Sequence, residues 1–210
     1  MGISKHSPGK SSSLADAVLF AELPDIERLV RAGAKVNARD KEGFTALMLA
    51  ITRDSLKIVN YLIKKGSKVN LATKTGLTAL MLAAQGGHAA IAKELIRAGA
   101  DVNAVDNEGL GALAWAASRG DFPETIALLA TLGADYNKPD IHGMTPLIRA
   151  AFMGHAGTAS TLLTVGADET RRFHGKTAYE LASEKGHKEV CRMMTIVLKN
   201  RPKDLFGANR

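Results

Sequence analysis

A single cysteine, Cys191, is all the thiol chemistry this chain carries, so no internal disulfide can form and nothing calls for an oxidising compartment. Aromatic residues are scarce at 5%. That argues against one thick core and suits thin layers of short helices, for which Ala, Gly and Leu are plentiful. No apolar run approaches the roughly 18 residues that span a bilayer. The first residues, "MGISKHSPGKSSS", lack an apolar segment and so do not read as a secretory signal. His6 stands where myristoylation needs Ser or Thr. The expectation is a cytoplasmic, monomeric, metal-free protein without a cofactor; nuclear location and delivery into a host cell stay open.

The formal net charge of +7 is unevenly spread. Residues 41–170 hold 12 basic and 12 acidic groups, whereas residues 171–210 hold 10 basic against 4 acidic. The body is neutral and one end is basic, which makes nucleic acid an unfavoured partner for the chain as a whole.

What the chain has in quantity is repetition. Glycines after each apolar run fall at Gly33, Gly66, Gly99, Gly133 and Gly166, with spacings of 33, 33, 34 and 33. A second series, Gly43, Gly76, Gly109, Gly143 and Gly175, keeps nearly the same step. Within one period, Gly76 predicts a turn and Thr78 a cap for a helix starting at Ala79. Leu80, Ala83 and Ala84 give that helix a small packing face. "GGH" at 86–88 ends it. Ile91, Leu95 and Ile96 make the stripe of a second helix, which Gly99 closes. Helices this short are marginal alone, since isolated ones below about 12–15 residues barely form in water, so neighbouring repeats must supply the burial.

These residues, with "HGMTPLIRAAFMGHA" at 142–156 and "RAGADVN" at 97–103, resemble the ankyrin repeat across about residues 14–199. The resemblance implies an all-α repeat fold: an ankyrin solenoid of about six helix-turn-helix repeats joined by β-hairpin-like turns. The expected organisation is a disordered polar tail at 1–11 and one repeat domain at 12–199, followed by a basic flexible tail at 200–210. Within the domain, caps at about 12–39 and 172–199 flank internal repeats at 40–72, 73–105, 106–139 and 140–171. Several positions depart from the family pattern. Only Pro146 keeps the proline, with Ala46, Ala79 and Ala112 elsewhere. Met48, Met81, Ala114, Ile148 and Glu180 replace the usual histidine, so its hydrogen bonds must be absent or replaced by packing. Repeat 106–139 has Gly111 in place of the capping Thr and one extra residue around Gly120–Pro123.

Catalytic patterns find no support. "GLGALA" at 109–114 matches a dinucleotide fingerprint, but no strand precedes it and the equivalent strings read "GFTALM" and "GLTALM". His88, His155 and His187 recur in the turn between helices and read as turn residues making local hydrogen bonds. Cys191 reads as a small buried core residue. Asn37, Asn70, Asn103 and Asn137 read as local ties for the outgoing hairpin. The protein is expected not to be an enzyme.

The resemblance implies protein binding along the turn tips and exposed faces of the first helices. The station after the turn glycine holds Phe44, Leu77, Leu110 and Met144, either packing between turns or forming an apolar stripe for a partner. At the ends of the first helices stand Arg53, Arg119, Phe152 and Met153; Trp115 and Arg149 lie one turn earlier, and Trp115 reads equally as core packing or as a contact. Interfaces draw energy from such Trp, Phe, Met and Arg anchors. The leading expectation is therefore a non-enzymatic adaptor, scaffold or inhibitory subunit holding a protein segment in its groove. One alternative is binding of nucleic acid, an anionic membrane or an acidic protein by the basic C-terminal cap. Another is a bacterial ankyrin effector acting on a host protein.

Overall fold

The computed structural model describes residues 14–201; the polar and basic tail segments outside that range, at 1–13 and 202–210, lie outside the described residues. Among the described residues, twelve helices follow one another in pairs. The first three pairs are α1 (Leu14–Phe20) with α2 (Leu23–Arg31), α3 (Ala46–Thr52) with α4 (Leu56–Lys64), and α5 (Ala79–Gln85) with α6 (Ala89–Arg97). The last three are α7 (Ala112–Arg119) with α8 (Pro123–Thr131), α9 (Pro146–Met153) with α10 (Ala156–Val165), and α11 (Ala178–Glu184) with α12 (Lys188–Asn200). Six pairs at this period make an all-α repeat solenoid.

Each pair is made the same way. Thr45, Thr78, Thr145 and Thr177 accept from the N–H of the third helical residue, at 3.3 Å in each case, and so satisfy one of the free donors at the helix start. Thr177 adds the reciprocal bond from its own N–H to Glu180, a full capping box. Gly111 offers no such side chain, and α7 starts without a side-chain cap. At the other end, Gly99 has φ +90°, Ala100 N–H returns to Leu95 C=O and Gly99 N–H to Ile96 C=O, both at 3.0 Å. This closure needs a left-handed residue, which glycine adopts without strain. All ten phased glycines have φ between +76° and +109°, so both series mark turns rather than close helix contacts.

The hairpins between pairs are narrow. Arg172–Phe173 (β1) and Lys176–Thr177 (β2) pair antiparallel, and single bridges join Arg39 to Thr45, Ala72 to Thr78 and Val105 to Gly111.

The described residues group into two compact units. The first comprises residues up to Ala83 with Ala90–Asp101. Its core holds Ile26, Leu47, Ile51, Leu62, Leu80, Ile91 and Leu95, with Met48 and Met81 each 1% exposed. These two methionines occupy the stations of the missing histidines, and burial of the thioether chain stands in for the hydrogen bonds. The second unit comprises Ala84–Ala89 and Val102 onward. There α7 packs on α8 and α9, α9 on α10 and α11, and α12 covers α10. Leu113, Ile126, Leu129, Leu147, Ile148, Leu162 and Leu163 fill its core.

Candidate functional site

The turns are organised by an aspartate. Asp106 accepts through Oδ1 from the N–H groups of Glu108 and Leu110, both at 2.9 Å. Asp40 and Asp140 do the same for Glu42 and Phe44, and for His142 and Met144. Thr73 replaces the aspartate in its repeat and accepts from Leu77 N–H through its hydroxyl. In the second unit the remaining oxygen is also used: Trp115 donates its indole N–H to Asp106 Oδ2 at 2.9 Å, and Arg149 forms an ion pair with Asp140 Oδ2. Burial pushes the Asp140 carboxyl up. The N–H of Met144, the guanidinium of Arg149 and the N–H of His142 together outweigh that and leave it below the ordinary carboxylate value.

These contacts place side chains around a cleft of about 320 Å³. Trp115, Arg119 and Ser118 of α7 form one wall, Arg149 and Met153 of α9 another, and Glu108 and Leu110 the turn side. Arg119 lies over the indole with its guanidinium carbon 5.2 Å from the ring centroid, a cation–π contact. Met153 is 48% exposed. Arg149 reaches Ser118 Oγ at 3.3 Å, so its charge is spent inside the protein, on Asp140 and this hydroxyl. Leu110 is only 5% exposed and packs the floor of its own turn.

Five of the expected contact residues, Leu110, Trp115, Arg119, Arg149 and Met153, thus converge on one cleft. Glu108 and Ser118 join them without having been singled out from the sequence. Met144 is half-buried in its turn, held by Asp140. Phe152 is half-buried beneath Lys185, whose Nζ is 4.4 Å from the ring centroid. In the first unit, Phe44 and Leu77 are half-buried turn residues. Arg53 is occupied: it donates to the carbonyls of Val18 and Ala21 at the end of α1, the latter at 2.8 Å.

The extra residue at Gly120–Pro123 has a clear structural task. Asp121 accepts from the N–H groups of Gly157 and Thr158, capping α10 of the following repeat. Phe122 donates its N–H to Thr158 Oγ1 at 2.8 Å, and its ring lies so close over Gly87 and Gly120 that a Cβ there would meet it at 2.5 and 2.3 Å.

Three expectations change. Two of the turn histidines do not bond locally: His155 donates through Nδ1 to Ala117 C=O and His187 through Nε2 to Phe152 C=O, each at 3.0 Å and each across to the preceding repeat. The carbonyls at the ends of first helices are the nearest free acceptors, and only the neighbouring repeat's turn reaches them. The asparagines likewise bridge forward, Asn70 to Gly99 C=O at 2.9 Å and Asp101 N–H, and Asn103 to Gly133 C=O at 3.0 Å and Asp135 N–H. Cys191 is half-buried rather than core, because Val190, 1% exposed, takes the inward position.

The basic C-terminal cap is largely neutralised. Arg171 pairs with Asp168, Arg172 with Glu180, Lys176 with Glu184, Arg192 with Glu189 and Arg201 with Glu169. Arg201 also donates to Leu163 and Ala167 carbonyls. Among the described residues no group of three or more His, Cys, Asp or Glu is placed to hold a metal ion, and no helix is long and apolar enough to cross a membrane.

No curated protein matches the chain. The family model for ankyrin repeats (3 copies) matches at residues 14–106, 93–173 and 113–201. Such repeats are in general protein–protein interaction modules, typically without enzymatic activity. With matches that run from residue 14 to 201, the turn, capping and bridging geometry has its explanation: the chain belongs to the ankyrin repeat family.

Proposed function

We propose that this chain is a non-enzymatic binding module, an adaptor, scaffold or inhibitory subunit, and that it holds a segment of a partner protein against the first-helix and turn face of its second unit. The observation that carries this reading is the cleft bounded by Trp115, Arg119 and Met153. It presents an aromatic face, an exposed thioether and a stacked guanidinium, the side-chain types that dominate interface energetics. Leu110 and Arg149 serve this face from behind, as supports of its turns, while Arg53 supports the end of α1 within the first unit. Within the second unit, Met144 and Phe152 contribute their exposed edges where a longer segment extends beyond the cleft; Phe44 and Leu77 are candidate contacts of the first unit by itself.

The test is affinity capture from lysate with the wild-type chain beside an Arg119→Ala, Met153→Ala double variant, read by mass spectrometry. Truncation of such anchors costs about 1–4 kcal/mol of binding. A protein retained by the wild type and lost from the variant, with unchanged helical circular dichroism, supports the cleft. Equal retention by both would remove it from the binding surface.

A further inference from the structure

The ends of the first helices in the second unit hold a row of three side chains in register: Arg119 closes α7, Met153 closes α9 and Lys185 follows α11. Because α7 packs on α9 and α9 on α11, the three stand side by side. The two outer members are cations, and each rests on an aromatic ring of the same row, Arg119 on Trp115 at 5.2 Å and Lys185 on Phe152 at 4.4 Å. All three are exposed. Among the described residues neither cation forms an ion pair, unlike Arg149, Arg172 and Lys176 close by, each of which has its own carboxylate. Glu184, next to Lys185 in sequence, and Glu108, which lines the cleft, do not neutralise it either. Glu184 is taken by Lys176, and Glu108 stands across the cleft on the turn side, which leaves the helix-end side the place for an incoming negative charge.

From this arrangement we infer that the partner segment is acidic–apolar–acidic: an extended peptide whose central apolar side chain lies on Met153 and whose flanking Asp or Glu side chains meet Arg119 and Lys185. Packed helices stand about 8–10 Å apart, and an extended chain in the polyproline II form advances about 3.1 Å per residue and brings every third side chain to the same face. Each carboxylate therefore falls about three residues from the apolar one. Each ring holds its cation in place, which lowers the ordering cost when the carboxylate arrives relative to a pair between free surface side chains. The aromatic platforms also discriminate. An apolar peptide without acids leaves both cations covered and unpaired, and a basic one meets like charge at both ends. This inference rests on the reading of the first-helix face as the binding surface.

Panning a displayed library of random 12-residue peptides against the full chain tests it. The expected pool carries Asp or Glu about three residues on either side of Leu, Ile, Met or Phe. A synthetic peptide from that pool should lose at least about tenfold in affinity toward an Arg119→Glu, Lys185→Glu variant and recover when its acids are replaced by Lys. Both substitutions lie on exposed side chains, and circular dichroism melting confirms the fold. If the selected peptides lack acids, or bind the charge-reversed chain equally well, the acidic–apolar–acidic rule is overturned. Should those same peptides still be lost on Met153→Asp, the face remains the binding surface. If Met153→Asp has no effect, or no peptide is selected at all, both readings fall.

Discussion

Trp115 and Arg149 stand at the same station of successive repeats, and each holds the aspartate nine positions before it, Asp106 by an indole N–H at 2.9 Å and Asp140 by a guanidinium. The two pairs solve one problem with different chemistry. A turn aspartate whose Oδ1 is consumed by backbone N–H groups leaves Oδ2 facing the first helix, and a long donor from that helix must meet it. In the repeats that carry Leu49 and Leu82 at this station, the side chain cannot donate.

Replacing Trp115 by Phe keeps most of the ring and removes the donor. The Asp106 carboxylate, in a residue only 9% exposed, then loses a partner it cannot fully replace from water. The expected cost is about 1–3 kcal/mol, seen as a lower urea midpoint without a change in slope. No loss of stability would show that water reaches Oδ2.

Asp140 makes stability depend on acid. Its folded value lies below the ordinary, unfolded value near about 3.9, so its contribution is fully present above that pH and is lost as pH falls through the folded value. Asp140→Asn should therefore be less stable at neutral pH, by about 3–5 kcal/mol for an ion pair broken on one side, yet should lose less on acidification than the wild type. Denaturant titrations between neutral pH and about pH 3 check this. Glu180, Asp168 and Glu189, also held low, contribute the slope that remains in the variant: Glu180 through the Thr177 N–H and hydroxyl, Asp168 chiefly through the Thr170 hydroxyl, and Glu189 through Arg192.

The Phe122 ring and Gly87 are coupled by contact. Phe122→Ala opens a space against both glycines and should cost about 2–4 kcal/mol. Gly87→Ala is costly twice over, since its φ is +70° and its new Cβ would strike the ring. Combining the two relieves the clash but not the backbone strain. The double variant should thus lose less than the sum of the single losses, by at least about 0.5 kcal/mol. Strict additivity in thermal melts would mean that the ring moves aside freely.

Asp121→Ala removes the cap of α10. Two N–H groups, of Gly157 and Thr158, lose their acceptor, and the expected cost is about 1–2 kcal/mol. Hydrogen exchange should localise the loss to the first turn of α10. Uniform loss of protection would assign Asp121 a wider role.

Much of this was legible in the chain. The helix starts at Ala79 and Ala112, the threonine caps, the positive-φ glycines and the irregular repeat at Gly120–Pro123 follow from local rules, because capping and left-handed backbone depend on neighbours in sequence. The candidate contact residues were legible only as stations. Nothing local distinguishes Arg119, whose cation rests uncommitted on Trp115, from Arg53 and Arg149, whose cations are spent on helix carbonyls and a carboxylate. By sequence Lys185 lies in the basic C-terminal cap, yet it keeps register with Arg119 and Met153.

The sequence by itself determined the repeat, its period and its turn chemistry, since those are set by residue types within a few positions of one another. Only the tertiary structure decided which groups remain free to meet a partner. That depends on hydrogen bonds and ion pairs between repeats some thirty residues apart, such as His155 to Ala117 and Asn103 to Gly133, and on whether an aspartate, a carbonyl or an open face lies within reach of each long side chain.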